Sequence, residues 1–147
     1  MKFVYTMDIN CTREKVWYWL GTPERVVMWQ TNISKTEILE QTSNWIGTTF
    51  RETIEENGKG VEMQGIITDY QENRSLAMHM LSKYNVVEVK WQIKPMGGYT
   101  RLNLRSNIRF KSFLKILSII FWPTFKRQIQ RQLDREYAKL KELCEQN

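Results

Sequence analysis

Between Thr100 and Lys111 the chain alternates without a break. Thr100, Leu102, Leu104, Ser106, Ile108 and Phe110 share one parity, and Arg101, Asn103, Arg105, Asn107, Arg109 and Lys111 hold the other. A period of two over this length predicts a strand with one dry face and one wet face. Phe3, Tyr5, Met7 and Ile9 alternate in the same way with Lys2, Val4, Thr6 and Asp8. Further strands are read at 34–40, 47–55, 61–70, 75–82 and 86–94. Turn-forming residues at 57–60, 71–74 and 95–98 join them as antiparallel neighbours.

Two short helices interrupt the strands. Thr12 is a helix cap, Glu14 suits the first turn, and Gly21 ends the segment after Val16 and Leu20. Thr22-Pro23 then restarts a shorter helix, with proline at the first helical position. Val26, Val27 and Trp29 are expected to tuck this helix against the sheet.

The period changes at the end of the chain. Phe125, Ile129, Leu133, Tyr137, Leu140 and Cys144 recur at steps of three or four, with Lys126, Arg127, Gln130, Arg131 and Lys141 on other faces. This predicts an amphipathic helix of roughly 20 residues, about 30 Å long. The apolar run 113–125 before it reads either as a helix or as an irregular flap. Pro123 disfavours helical geometry at Trp122, so a break is expected there. A curved sheet covered by one long helix leaves space between the two, and that space is the first place to seek function.

Composition sharpens this picture. The 147 residues include six Trp, six Tyr, six Phe and seven Met. Such an inventory fills a core, and it also lines pockets that accept varied apolar ligands. The net charge of +6 is uneven. Residues 101–135 carry nine cations against Asp134 alone, whereas residues 36–72 are rich in Glu. A basic stretch is a solvated face or a surface for anionic lipid headgroups or nucleic acid. No nucleic-acid reading motif accompanies it, and nucleic acid is not expected as a partner. Phe113–Trp122, flanked by Lys111, Lys115, Lys126 and Arg127, is either a plug of the sheet or a weak contact for an anionic membrane surface. The first residues do not resemble a secretory signal, and a cytoplasmic location is expected.

Candidate chemistry is sparse. Cys11 and Cys144 form no CxxC or Cys/His cluster, so no metal is expected, and no cofactor motif is present. His79, the only histidine, has parity opposite to Met78 and Met80 and reads as outward. Glu52 shares parity with Phe50 and Ile54 and is the one candidate for acid–base work, unless a bulge turns it to water.

Several segments resemble the helix-grip superfamily that contains START domains and polyketide cyclases/dehydrases, abbreviated SRPBCC. Ile9-Asn10-Cys11-Thr12-Arg13-Glu14-Lys15-Val16-Trp17 resembles its strand-to-helix entry, with Thr12 or Arg13 in place of the usual proline. Trp29 falls after the second helix, as in the family. Ile46-Gly47-Thr48-Thr49-Phe50 and Gly98-Tyr99-Thr100-Arg101-Leu102 resemble two of its strands, and Leu140-Lys141-Glu142-Leu143-Cys144-Glu145 resembles its helix ending. The resemblance implies an α+β helix-grip fold over residues 1–147 as one domain. A curved antiparallel β-sheet would wrap around a long C-terminal α-helix, with two short helices after the first strand.

It further implies a cavity for an apolar ligand between sheet and helix. Parity assigns the inward lining to Met63, Ile67, Met78, Met80, Val87, Val89, Trp91, Leu104, Ser106 and Ile108. The lid is assigned to Phe121, Trp122, Phe125, Ile129 and Leu133. The expected function is binding, and transport, of a lipid, isoprenoid or polyketide-like molecule without catalysis. An aromatase/cyclase-like enzyme and a protein-interaction module are the alternatives. Polar groups converging inside would mark the enzyme, a dry tunnel the carrier, and a filled core the interaction module.

Overall fold

A computed structural model describes residues 1–56 and 58–146. Asn57, read as the start of the 57–60 turn, lies outside the described residues. Strand β1 (Lys2–Ile9) leads into helices α1 (Arg13–Leu20) and α2 (Pro23–Val26). Six strands follow: β2 (Ile33–Glu40), β3 (Thr49–Glu56), β4 (Lys59–Gln71), β5 (Ser75–Leu81), β6 (Asn85–Pro95) and β7 (Thr100–Phe110). Helices α3 (Phe113–Ile120) and α4 (Trp122–Glu145) complete the chain.

The seven strands form one antiparallel sheet in the order β1-β7-β6-β5-β4-β3-β2. Strand β1 pairs with β7 from Lys2 opposite Asn107 to Ile9 opposite Thr100. Helices α1 and α2 therefore carry the chain from one sheet edge to the other. The sheet curves around α4, giving the helix-grip fold that the sequence implied.

Local chemistry explains the short helices. The Lys15 amide donates to Thr12 Oγ1 at 3.3 Å, which satisfies one free donor of the first turn. Gly21 closes α1, with its amide donating to the Trp17 carbonyl. Thr22 caps α2 by position, but its hydroxyl accepts from the Arg25 guanidinium rather than from an amide. That guanidinium also lies 3.4 Å from the centre of the Tyr18 ring. Trp29 is buried, and Val26 is half-buried. Val27, expected to pack inward, is instead exposed, because it follows the last turn of a four-residue helix and faces solvent.

Two features of the end of the chain bear on the sequence reading. The break falls at Phe121, one residue before the position expected from Pro123. Pro123 occupies the first turn of α4, where its missing amide has no intrahelical acceptor to lose. Residues 113–120 are helical, one of the two forms the sequence allowed. Leu114, Leu117 and Ser118 turn inward, while Phe113, Ile116, Ile119 and Ile120 are exposed.

Tyr137 joins helix to sheet. The buried indole N–H of Trp91 on β6 donates to Tyr137 Oη at 2.6 Å. The phenol ring packs 5.1 Å from Tyr5 and 5.4 Å from Trp29. Towards the end of α4, Leu140 and Cys144 are fully buried. Glu145 accepts from the Asn10 amide, and Lys141 donates to the Asp8 carbonyl. Cys11 and Cys144 are both free thiols. Burial pushes Cys144 up to about 12, so its thiol stays protonated near neutrality.

Gly65 on β4 faces Phe50 across the β3–β4 pair, and the Phe50 ring lies over the space that a side chain would fill. Gly65→Ala is expected to destabilise the fold by about 1–3 kcal/mol, because a methyl group would overlap a buried ring. Urea titration checks this; an unchanged midpoint would mean that the ring moves freely.

Candidate functional site

Between the sheet and the first half of α4 lies a cavity of about 690 Å³. This is within the range of small-molecule sites. The alternation in β4–β7 builds its floor. Met63, Ile67, Met78, Met80, Val87, Val89, Trp91, Leu104, Ser106 and Ile108 all line it. Phe125, Ile129 and Leu133 form the roof, at steps of four along α4. Trp45 lines it as well and stacks on Tyr70 with ring centres 5.5 Å apart. The Trp45 backbone is left-handed at φ 68°, a conformation uncommon for a bulky residue.

Two of the residues assigned to the lid lie elsewhere. Phe121 caps the end of α3 and is exposed. Trp122 begins α4 and packs 5.5 Å from the Phe3 ring, outside the cavity. Both corrections follow from the break at Phe121, which redirects the chain before the roof begins.

Glu52 faces inward. The register is continuous through it, with Thr36 opposite on β2 and Met63 opposite on β4. The irregularities of β2 lie to either side, between Ile33 and Lys35 and between Ile38 and Glu40, so no bulge turns Glu52 to water. It is 8% exposed and lines the cavity. Desolvation alone pushes its carboxyl up to about 7. The Thr36 hydroxyl beside it is buried without a hydrogen-bond partner.

A second buried carboxylate, Glu136, escaped the pattern reading because a charge on an apolar stripe looks like a surface residue. Its position three residues after Leu133 and four before Leu140 was the available signal. Glu136 Oε1 accepts from the Thr31 amide at 3.1 Å, from the Thr31 hydroxyl at 3.3 Å and from Gln132 Nε2 at 3.1 Å. Burial raises its pKa, and those bonds moderate the rise. Glu136 is thus held by the protein, whereas Glu52 is not.

His79 lies on the outer face with Nδ1 3.5 Å from Glu88. Arg101 and Arg109 of β7 pair with Asp8 and Glu88 on that face. Among the described residues, no Lys, Arg or His lines the cavity, and no cluster of three His, Cys, Asp or Glu is arranged to hold a metal.

A family model described as "Polyketide cyclase / dehydrase and lipid transport" matches residues 1–145. No curated protein is significantly similar in sequence. Many solved structures share the fold. A Thermus thermophilus protein superimposes with a TM-score of 0.80 at 14% identity, covering 98% of this chain and 97% of its own. A START superfamily protein from Mycobacterium smegmatis gives a TM-score of 0.80 at 16% identity, with coverage of 98% and 97%. The Zhui aromatase/cyclase from Streptomyces sp. R1128 gives 0.73 at 13% identity, with coverage of 98% and 90%. At these identities the likeness is one of fold.

The Glu52 carboxyl binds its proton more tightly folded than unfolded, so its contribution to stability is largest at low pH and falls as pH rises through about 7. Glu52→Gln removes this titration. The variant is expected to gain on wild type between about pH 5 and about pH 8, by up to about 3 kcal/mol. Glu55, Glu136, Tyr70 and Tyr137 line the same cavity in both proteins, so the difference between the two stability curves isolates Glu52. Denaturant melts across this window check it. A difference that does not vary with pH would place the carboxylate in solvent.

Proposed function

The chain belongs to the polyketide cyclase / dehydrase and lipid transport family, and on that premise we propose that it is a non-catalytic binding protein and carrier for an apolar small molecule. The observation that carries this reading is the cavity of about 690 Å³, floored by Met, Val, Leu and Ile side chains and roofed by α4. Burying an apolar ligand against such walls contributes roughly 25 cal/mol per Å² of apolar surface removed from water. The Met side chains let the floor adapt to ligands of different outline. A filled core, as expected of an interaction module, does not fit this space.

A second reading, an aromatase/cyclase-like enzyme, draws support from Glu52 and Thr36 converging inside. A carboxyl that titrates near neutrality suits general acid–base work. Thr36 does not titrate in this range, and His79, the only histidine, lies on the outer face. Acid–base work would then fall to Glu52, because Glu136 on the same wall is engaged by Thr31 and Gln132. Native mass spectrometry with extraction of the co-purified ligand tests both readings. Recovery of a ligand unchanged after prolonged incubation supports the carrier. Its conversion, abolished in Glu52→Gln, would establish the enzyme.

Narrowing the cavity gives a direct check. Val89→Trp is expected to weaken binding of a fluorescent apolar probe about tenfold, or about 1.4 kcal/mol. Failure of the wild-type protein to bind any apolar probe would refute the binding reading.

We further propose that α3 touches anionic membrane surfaces weakly. Phe113 is 66% exposed and Ile119 67%, a density of apolar surface that a solvated helix does not need. Lys115, Lys126 and Arg127 flank it and form no ion pair among the described residues. Each such cation contributes about 1 kcal/mol near an anionic bilayer, and salt screens that attraction. Flotation with anionic vesicles at low salt is expected to recover the protein, with less recovery on neutral vesicles or at high salt. Ile119→Asp and the Lys126→Glu/Arg127→Glu pair should each reduce recovery. Equal recovery on neutral and anionic vesicles would remove the electrostatic part of the proposal.

A further inference from the structure

The cavity reverses the charge of the molecule that encloses it. The chain carries a net charge of +6, yet Glu52, Glu55 and Glu136 are the only charged side chains on the cavity wall among the described residues. An acidic ligand would enter with no cation to meet it. Its carboxylate or phosphate would lie in a low-dielectric space lined by groups of its own sign, and like charges brought together there repel strongly.

Within that wall, one spot lacks what a buried polar site normally has. Glu52 is 8% exposed, faces the cavity, and accepts no hydrogen bond from the described residues. Thr36, its partner across the β2–β3 pair, presents a buried hydroxyl without a hydrogen-bond partner to the same space. Buried polar groups are almost always paired, and an unpaired carboxyl is costly. Glu136 shows the alternative within the same cavity, since its carboxylate is satisfied by Thr31 and Gln132. The two groups are direct cross-strand partners on β2 and β3, and both line the cavity.

We propose that Glu52 and Thr36 form a polar pole that recognises a hydrogen-bond donor on an otherwise apolar ligand, and that the ligand is an alcohol or an amine rather than an acid. This rests on the apolar-binding reading above and narrows it to a ligand class. An O–H group donates to the Glu52 carboxylate and accepts from the Thr36 hydroxyl. An ammonium group donates to both. Hydrogen bonds to a charged acceptor are the stronger kind, so the pole discriminates by roughly tenfold or more between ligands of equal apolar area.

Four probes with one common chain test the proposal: 1-decanol, decylamine, decanoate and methyl decanoate. Binding is followed by intrinsic tryptophan fluorescence and by calorimetry at about pH 7.5, below micelle-forming concentrations. Decanol and decylamine are expected to bind at least about tenfold more tightly than methyl decanoate, which offers no donor, and decanoate should bind most weakly. Glu52→Gln is expected to remove most of the decylamine advantage. Thr36→Val, which keeps the shape of the side chain, should lower decanol affinity and leave methyl decanoate unchanged. If methyl decanoate binds as tightly as decanol, or decanoate binds best, the pole is not a recognition site and only apolar binding stands. Unchanged decylamine binding in Glu52→Gln overturns it equally. If none of the four binds, the apolar-binding reading falls as well.

Discussion

The hydrogen bond from Trp91 to Tyr137 sets the height of the last helix above the sheet. Both groups are large, both are buried, and each must satisfy a polar atom away from water. Only one separation of helix and strand lets the indole N–H reach the phenol oxygen, and Tyr5 and Trp29 hold the phenol ring in place. Beyond this strut, Leu140 and Cys144 close tightly on the rest of the core. Before it, Leu133, Ile129 and Phe125 span the cavity instead of filling it. The helix is thus a core element at one end and a roof at the other, and Tyr137 marks the change.

Much of this was legible in the sequence, for reasons that differ by element. The floor of the cavity follows from strict alternation in β4–β7, since a period of two leaves each residue one face to occupy. The roof follows from steps of four along α4. Glu52 needed the structure, because parity alone does not exclude a bulge, and only the intact register from Thr36 to Met63 turns it inward. Phe121 and Trp122 were misplaced because Pro123 marks a break in the apolar run but not which side of the break faces the cavity. The same run hid the orientation of α3, whose inner and outer faces are both apolar. Glu136 was hidden by its charge, although its spacing fits the buried stripe.

Local rules and stability disagree at one place. The Thr36 hydroxyl is buried without a partner and no described residue donates to the inward-facing Glu52 carboxyl, while the neighbouring strands follow alternation and packing closely. Departures of this kind concentrate where a fold carries function at the expense of stability. The left-handed Trp45, also on the cavity wall, is a second departure in the same region. Both lie on the segment from β2 to β3, at the opposite end of the sheet from β1 and β7.

The pairing of β1 with β7 has a consequence for how the molecule is made. Its first strand is made well before β7, yet among the described residues β7, the last strand to be synthesised, is its only sheet neighbour. Lys141 and Glu145 of α4, which hold the turn after that first strand, emerge later still. Contacts so distant in sequence form slowly, because a long loop must close before they offset its entropy. During synthesis the apolar face of β4–β6 therefore stands uncovered until α4 arrives. A nascent chain in that state exposes the same surface that later encloses a ligand, and it is then a natural client for chaperones.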